Sequence, residues 1–188
     1  MITKHQFALH LIRDSTDIHA VRVQALASEL AGTPVTVKCR IGVDDVDDYA
    51  ALHRFVSVVA AASPVTHFVV HARKCLLSGL SPHQNRTVPP LRYHWPLALA
   101  RDFPALRFTV NGGLQGPEEA VAVLAHRGAG GERLHGVMVG RAAFHMPWQA
   151  LARADTLVFG AAHDAATSRR QVRYRCSPLL LWQVPWLR

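Results

Sequence analysis

Glycines and polar residues follow two β-strand-like runs of this sequence, and their types are suited to binding a phosphate group. Asn111 is followed by Gly112 and Gly113, and Gly140 is followed by Arg141. Glycines at a strand-to-helix turn leave backbone N–H groups open to an anion, and an arginine adds positive charge. The two turns therefore predict a phosphate site, with ordinary tight turns as the alternative.

Two further polar side chains, Lys38 and His71, belong to runs rich in β-branched residues. A lysine directed inward from a sheet is costly unless an electron-rich or charged group pairs with it, and a reduced flavin is such a group. Lys38 is therefore a candidate cofactor ligand, and His71 ends its run in the same way. The alternatives are an outward lysine in an edge strand and a purely structural histidine.

A long connection at residues 74–93 lies between the predicted elements and has no clear periodicity. A loop of this length inside a compact fold is usually functional or disordered. Its polar side chains suit the phosphates and ribose hydroxyls of a folded RNA, although a solvated loop would have the same composition. These side chains are Lys74, His83, Asn85, Arg86 and Arg92.

The elements that must position these residues alternate between strand and helix. The predicted strands are 34–42, 66–73, 107–113 and 136–140, and the predicted helices are 16–31, 46–62, one beginning at Gly116-Pro117 and one from about 142. Asp44 or Asp45 is expected to cap the second helix. Apolar strands that alternate with helices indicate an α/β fold with a parallel sheet.

Two architectures contain such a sheet, and the strand ends distinguish them. A doubly wound sheet concentrates its glycines after the first strand as GxGxxG, which does not occur in this sequence. Several strands that each end in polar residues are typical of the active rim of a (β/α)₈ barrel. We therefore expect a partial barrel.

Composition bounds the class of protein. The chain has 188 residues, 49% of them hydrophobic and 18% charged, which is enough for one buried core. The net charge is +8, but five arginines fall in the last twenty residues. The main body is thus only mildly basic, which permits a polyanionic partner without requiring one.

Cysteine and histidine spacing argues against a disulfide framework and against a metal site. Cys39, Cys75 and Cys176 are far apart and form no CxxC pair, so we expect a reducing, cytoplasmic compartment and structural roles for the first two. His67 and His71 lie in one strand, where a spacing of four spans about 13 Å. This spacing does not suit a metal site, so we expect no metal. No run of 18 apolar residues is present, so we also expect no membrane span.

Four segments together resemble the tRNA-dihydrouridine synthases, in particular the A-type bacterial subfamily. Their order and spacing agree over about residues 10–160, and the HARK…LSGLSP…NR…PPL stretch is highly specific to the family. The segments are VTVKCRIGVDD (35–45), FVVHARKCLLSGLSPHQNRTVPPLRY (68–93), FTVNGGLQGPEEA (108–120) and GVMVGRAAFHMP (136–147).

The resemblance implies an FMN enzyme on a (β/α)₈ barrel, with NADPH as reductant and a uridine of the tRNA D-loop as substrate. The uridine must leave its stack to reach the flavin. By position, Lys38 and His71 would contact FMN, and His83 and Arg86, with Arg73 and Lys74, would contact tRNA. The family usually has a lysine where His83 stands. The residues that would hold the FMN phosphate are Asn111, Gly112, Gly113, Gly140 and Arg141.

The sequence also departs from the family. No segment matches its first four strands or its Asn-x-Gly-Cys-Pro motif, whose cysteine is the general acid, so we assign no catalytic residue. Residues 10–160 correspond to about the last four strand–helix units, and 161–188 form an atypical basic and apolar tail, expected to be disordered or non-native. We expect this chain to be inactive alone. The alternatives are a non-catalytic RNA-binding pseudoenzyme fragment and another FMN barrel oxidoreductase, against which the loop signature argues.

Overall fold

The computed structural model of the chain describes residues 23–25 and 34–172, which fall into two compact units. The first unit contains the described residues up to Gly113 together with Arg127–Met138, and the second contains Leu114–His126 and the residues from Val139 onward. The predicted helix at 16–31 lies outside the described residues except for 23–25, which are helical. Residues 173–188 of the predicted tail also lie outside them.

A four-stranded parallel sheet forms the first unit. Its strands are β1 (Val37–Arg40), β2 (His67–His71), β3 (Arg107–Asn111) and β4 (Gly136–Met138), and they are adjacent in the order of the sequence. The α/β class with a parallel sheet is therefore confirmed. The strands are shorter than predicted, because the polar and glycine residues at their ends lie outside the hydrogen-bonded ladders.

One face of this sheet is apolar and forms the core. In β2 and β3, Phe68 and Phe108 lie side by side with their rings stacked, the centroids 5.8 Å apart, and both are buried. Val70 and Val110, two residues further along each strand, continue the same face. Burying side chains of this size stabilises a fold by about 1.5–3 kcal/mol each. The core therefore anchors the strands whose ends carry the candidate site.

Helix α1 (Tyr49–Ala62) joins β1 to β2, and it buries an apolar stripe at helical spacing: Leu52, Phe55, Val56 and Val59. Its N-cap is Asp48, whose side chain accepts a hydrogen bond of 2.7 Å from the backbone N–H of Ala51. The prediction that Asp44 or Asp45 caps this helix is wrong. Val43 and Val46 instead exchange backbone hydrogen bonds in a tight turn, in which Asp44 has a φ of 50°.

Helix α2 (His94–Asp102) joins the long connection to β3, and the sequence did not predict it. Its N-cap residue, Tyr93, makes no capping hydrogen bond through its side chain, and Pro96 lies in the first turn. Pro is tolerated there because the N–H groups of the first turn have no partner within the helix. Leu97 and Leu99 are buried, and the helix packs against β3.

The second unit consists of short helices. Gly116 precedes α3 (Pro117–Ala125), which begins with a proline and two acids as predicted. The helical stretch predicted from about 142 is divided into α4 (Arg141–His145), α5 (Pro147–Leu151) and α6 (Ala154–Leu157). Pro147 accounts for the first break, because proline disfavours helical backbone at the preceding residue.

Part of the predicted tail is described and belongs to this second unit. The Asp164 carboxylate accepts hydrogen bonds from the backbone N–H and the hydroxyl of Thr156, at 2.9 and 3.0 Å. The Asp155 carboxylate accepts one from the N–H of Ala165 at 2.9 Å. Residues 161–165 are thus fastened to α6.

Within the described residues, no helix is long and apolar enough to span a membrane.

Candidate functional site: a polar sheet face and an ordered basic loop

The second face of the sheet carries the polar residues of the candidate site. The parallel register aligns Arg40 of β1 with His71 of β2, and His71 with Asn111 of β3. Aligned residues of a parallel sheet project to the same face, and Lys38, two positions before Arg40, shares that face. The structure therefore brings Lys38, His71 and Asn111 together on one side of the sheet, with Arg40 between them.

Lys38 lies on the open side of β1, while its neighbours Val37 and Cys39 are buried on the other side. The residue as a whole is exposed, yet partial burial of its side chain lowers the pKa of Lys38, and the charge of Arg40 lowers it further, against an opposite contribution from Cys39. An ammonium group beside another cation is relieved of repulsion by an anionic partner. This position thus favours a negatively charged ligand.

The imidazole of His71 packs directly against Gly112. A Cβ atom at Gly112 would lie 2.6 Å from Cδ2 and 2.9 Å from Nε2 of His71, and the φ of Gly112 is 117°. Gly113 has a φ of 78°, and a Cβ there would lie 2.6 Å from Cδ1 of Leu91. The Tyr93 hydroxyl donates a hydrogen bond to the carbonyl of Gly112. Both glycines are therefore required by backbone conformation and by space.

Both the side chain and the backbone carbonyl of Asn111 form hydrogen bonds to neighbouring parts of the sheet. Its side-chain amide donates a hydrogen bond of 2.8 Å to the carbonyl of Met138, and its own carbonyl accepts one of 2.9 Å from the N–H of Ala72. These bonds fasten the end of β3 to β4 and to the chain that follows β2. The residue that precedes the glycine turn is therefore held by hydrogen bonds on both sides.

Gly140 and Arg141, the other residues predicted to hold a phosphate, belong to the second unit. Gly140 precedes α4 and Arg141 is its first residue, and both are exposed. Gly140 has a φ of −105°, and a Cβ atom there would meet nothing within 4 Å. A glycine is thus not required at this turn for conformation or for space, in contrast to Gly112, and the assignment of Gly140 and Arg141 to a phosphate stays a prediction.

The long connection at 74–93 is ordered by hydrogen bonds to buried groups. The Arg40 guanidinium donates to the carbonyls of Lys74 and Asn85 at 2.8 and 2.9 Å. Asn85 is buried; its side-chain amide donates to the carbonyl of Leu76, and its side-chain oxygen accepts from the N–H of Leu76, both at 2.7 Å. Arg40 and Asn85 therefore tie the beginning and the middle of the loop to the end of β1.

A single carboxylate connects the two ends of the same loop. Asp47, between β1 and α1, accepts two hydrogen bonds from the Arg92 guanidinium at 2.6 and 3.1 Å, and it forms an ion pair of 2.9 Å with the Lys74 ammonium. The Arg92 guanidinium also lies over the ring of Trp95 at 4.8 Å. Sequence reasoning missed Asp47, because nothing local distinguishes it from its three neighbouring aspartates in VDDVDD.

The predicted RNA-contacting residues lie within or beside this ordered loop. His83 is exposed and precedes a short 3₁₀ helix, Gln84–Arg86. Arg73 donates a hydrogen bond to the carbonyl of Pro89, and the charge of Arg86 lowers the pKa of Arg40, after the larger effect of burial. Lys74 is engaged with Asp47, so an RNA phosphate would compete with that carboxylate for it. These four RNA contacts stay predictions.

The two cysteines of the described residues are free and buried. Burial raises the pKa of the Cys39 thiol to about 12, and it also raises that of Cys75. Cys39 lies on the apolar face, opposite Lys38 and Arg40. The described residues contain no group of three or more histidine, cysteine or carboxylate side chains arranged to hold a metal ion.

The arrangement combines a sheet face that carries Lys38 and Arg40, a glycine turn and a basic loop. The family model described as dihydrouridine synthase matches residues 2–178, so the chain belongs to this family. The resemblance seen in the sequence is thereby confirmed.

Curated relatives carry the name tRNA-dihydrouridine(20/20a) synthase. The protein of Xanthomonas axonopodis pv. citri is 48% identical over 131 residues, which are 69% of this chain and 37% of that protein. The protein of Vibrio cholerae is 44% identical over 147 residues, 78% of this chain and 42% of that protein. The protein of Vibrio vulnificus is 41% identical over 160 residues, which are 85% of this chain and 46% of that protein. The chain thus spans less than half the length of these relatives.

Proposed function

We propose that this chain is part of an FMN-dependent tRNA-dihydrouridine synthase, with NADPH as reductant, and that it supplies the polar sheet face for the flavin and the loop 74–93 for the tRNA D-loop. The observation that carries the proposal is the alignment of Arg40, His71 and Asn111 across three strands, with Lys38 on the same face. Membership of the family and the name of its curated relatives support it. A reaction on tRNA would fit a cytoplasmic protein.

The sheet itself supports a partial (β/α)₈ barrel. Its four parallel strands are adjacent in sequence order, whereas a doubly wound sheet reverses direction at a switch point. In a barrel the polar tips at the carboxyl ends of successive strands share one rim. The row Arg40, His71, Asn111 corresponds to such a rim, and the apolar face opposite it corresponds to the side covered by helices.

The residues present fit a flavin with its phosphate. Gly112 and Gly113 have φ values of 117° and 78°, and a Cβ atom at either would lie 2.6 Å from His71 or from Leu91, so the turn after β3 carries no side chain of its own between its backbone and a ligand. Lys38 has a lowered pKa because of partial burial and the charge of Arg40, and a negative ring system would relieve both effects. Asn111, Gly112 and Gly113 would hold the phosphate, and the resemblance implies a phosphate-binding role for Gly140 and Arg141 as well.

When bound, FMN reduced by NADPH would supply a hydride for C6 of the uracil, and a proton added at C5 completes the reduction of the double bond to dihydrouridine. Lys38 stabilises negative charge beside it. His71 contributes a ring nitrogen on the same face, and its ring is fixed by contact with Gly112. Loop 74–93 holds the RNA so that the extruded uridine reaches that face.

Neither cysteine of the described residues is placed to give a proton to C5. Cys39 is buried on the opposite face of the sheet, and Cys75 is buried within loop 74–93, with its thiol 3.8 Å from the carbonyl of Leu76. No Asn-x-Gly-Cys-Pro segment occurs in the 188 residues. We therefore assign cofactor and RNA binding to this chain, and no catalytic acid.

A non-catalytic RNA-binding protein is the second candidate, and one observation favours it. The hydrogen bonds and ion pairs that order loop 74–93 come from Arg40, Asp47 and Asn85, all of which belong to the chain itself. The order of the loop thus rests on contacts within the chain. Purified protein that is colourless after reconstitution with FMN but binds D-arm RNA would establish this second function instead.

FMN titration of the purified chain tests the first proposal. We expect quenching of flavin fluorescence with wild type and at least about tenfold weaker binding for Lys38→Ala, the size of effect expected when a charged hydrogen-bonding partner is lost. Arg54→Ala removes the same charge from an exposed position of α1 and should bind FMN like wild type. Equal binding by all three proteins, or no binding by wild type, would contradict the proposed cofactor face.

A further inference from the structure

We propose that Asp47 is a positioning residue for RNA binding: it joins the two ends of loop 74–93 and so holds the loop in the shape that contacts RNA. This inference rests on the proposed RNA-binding role of the loop. No relative's name and no motif of the sequence assigns a role to Asp47.

The contacts that carry the inference converge on one carboxylate. Its Oδ1 lies 2.6 Å from Nη1 of Arg92, and its Oδ2 lies 3.1 Å from Nη2 of Arg92 and 2.9 Å from Nζ of Lys74. Lys74 begins the loop and Arg92 is its penultimate residue. The Asp47 side chain is 17% exposed, and those of Lys74 and Arg92 are 25% and 27% exposed, so solvent screens these pairs only partly.

The turn that carries Asp47 is itself joined to the loop. The carboxylate of Asp44 accepts a hydrogen bond of 2.8 Å from the N–H of Leu77, and backbone bonds link Gly42 and Asp44 to Cys75 at 2.9 and 2.7 Å. A change at Asp47 therefore acts first on the segment 74–77 and on Arg92. The segment that carries His83 and Arg86 lies between these two ends.

Loss of the Asp47 carboxylate would change RNA affinity in opposite directions through the charge of the protein and through the position of the loop. Asp47→Asn removes one negative charge and releases Lys74, so an effect of charge alone would tighten RNA binding and steepen its salt dependence by about one counterion. An effect on position would weaken binding, because affinity falls in proportion to the fraction of loops in the competent shape. The two effects differ in sign, which makes the variant decisive.

The experiment measures binding of an unmodified RNA hairpin with the sequence of a tRNA D-arm, by fluorescence anisotropy at two salt concentrations. We expect Asp47→Asn to bind about tenfold more weakly than wild type, the loss that follows when a tenth of the loops remain competent. Asp45→Asn makes the same charge change at an exposed neighbouring position and should bind at least as tightly as wild type. Asp47→Glu should restore most of the affinity. Unchanged or tighter binding by Asp47→Asn overturns the inference.

Amide hydrogen exchange separates this inference from the proposed function. In Asp47→Asn, the N–H groups of Leu76, Leu77 and Asn85 should exchange faster than in wild type, whereas those of β2 should not. If wild type does not bind the hairpin, the RNA-binding proposal is wrong, and the exchange rates alone decide the role of Asp47. If Asp47→Asn loses the sheet as well, Lys74→Gln breaks one arm of the contact, and unchanged exchange at Leu76 and Leu77 then overturns the inference.

Discussion

At the scale of single residues, the close contact between Gly112 and His71 couples backbone conformation to the cofactor face. A methyl group at position 112 would overlap the imidazole and would require a φ that L-residues rarely adopt. An alanine there would have to shift either the turn or the imidazole of His71, the residue that the register aligns with Arg40 and Asn111. Glycine at this position therefore serves the site as well as the turn.

The first prediction is that Gly112→Ala lowers the free energy of unfolding by about 1–3 kcal/mol, the cost of a strained backbone conformation, with the steric overlap adding to it. Gly140→Ala is the matched control, since its φ is ordinary and a Cβ atom there meets nothing within 4 Å. We expect the control to stay within about 0.5 kcal/mol of wild type. Urea denaturation measures both, and equal stability of the two variants would refute the strain argument.

The second prediction concerns a histidine at the amino end of β2. Burial lowers the pKa of His67 below its ordinary value of 6.5, and the positive charge of His135 and Arg107 lowers it further. The unfolded chain then takes up the proton more readily than the folded one. The contribution of neutral His67 to stability is therefore fully present above pH 6.5, and it is lost as the pH falls through the lower pKa that His67 has in the folded chain.

Urea denaturation at pH 7.5 and at pH 5.5 tests this sign. His67→Gln should lose less stability between the two pH values than wild type does. His94→Gln, at an exposed position of α2, should behave like wild type. A variant at His67 with the full pH dependence would show that another group titrates.

At the scale of elements, the loop 74–93 behaves as an ordered part of the first unit rather than as a flexible linker. A length of twenty residues without periodicity was compatible with function or with disorder. The structure decides for order, because Asn85 is buried and makes two 2.7 Å bonds to Leu76, and Arg40 reaches the backbone of the loop at two points. Such contacts between distant residues have no local signature.

The third prediction is that Asn85→Ala loosens the loop. Its loss leaves the N–H and the carbonyl of Leu76 without their side-chain partner, which costs about 1–3 kcal/mol for a buried group. We expect faster limited proteolysis within 74–93 and a matching loss in the free energy of unfolding. Val88→Ala, which truncates a neighbouring apolar side chain that is 61% exposed, should change neither by much. Equal cleavage of the two variants would mean that Asn85 does not order the loop.

At the scale of the whole molecule, the proposed cofactor binding and RNA binding can be tested apart from turnover. The polar sheet face and the loop belong to the first unit, so both functions can be measured on this chain. The Asn-x-Gly-Cys-Pro segment that carries the family's general acid does not occur in these 188 residues. We therefore expect the chain to bind FMN and RNA without forming dihydrouridine.

The fourth prediction is accordingly that the chain alone forms no dihydrouridine on unmodified tRNA in the presence of FMN and NADPH. Mass spectrometry of the digested nucleosides measures the product, and a tRNA-dihydrouridine(20/20a) synthase such as that of Vibrio cholerae is the positive control. Turnover above the level of a heat-denatured sample would show that the chain supplies its own acid.

The sequence by itself determined the alternation of strands and helices, the parallel sheet and the glycines after β3. These follow from hydrophobic periodicity and from the conformational freedom of glycine, which are local properties. Even so, it placed the cap of α1 wrongly and missed α2, because several aspartates compete for one cap and Tyr93 provides no capping side chain.

Only the tertiary structure decided which polar groups meet. Parallel register brings Arg40, His71 and Asn111 into one row, and Asp47 meets a guanidinium 45 residues away. Register and ion pairing depend on how separate elements pack against each other, and a single chain carries no local pattern from which that packing can be read.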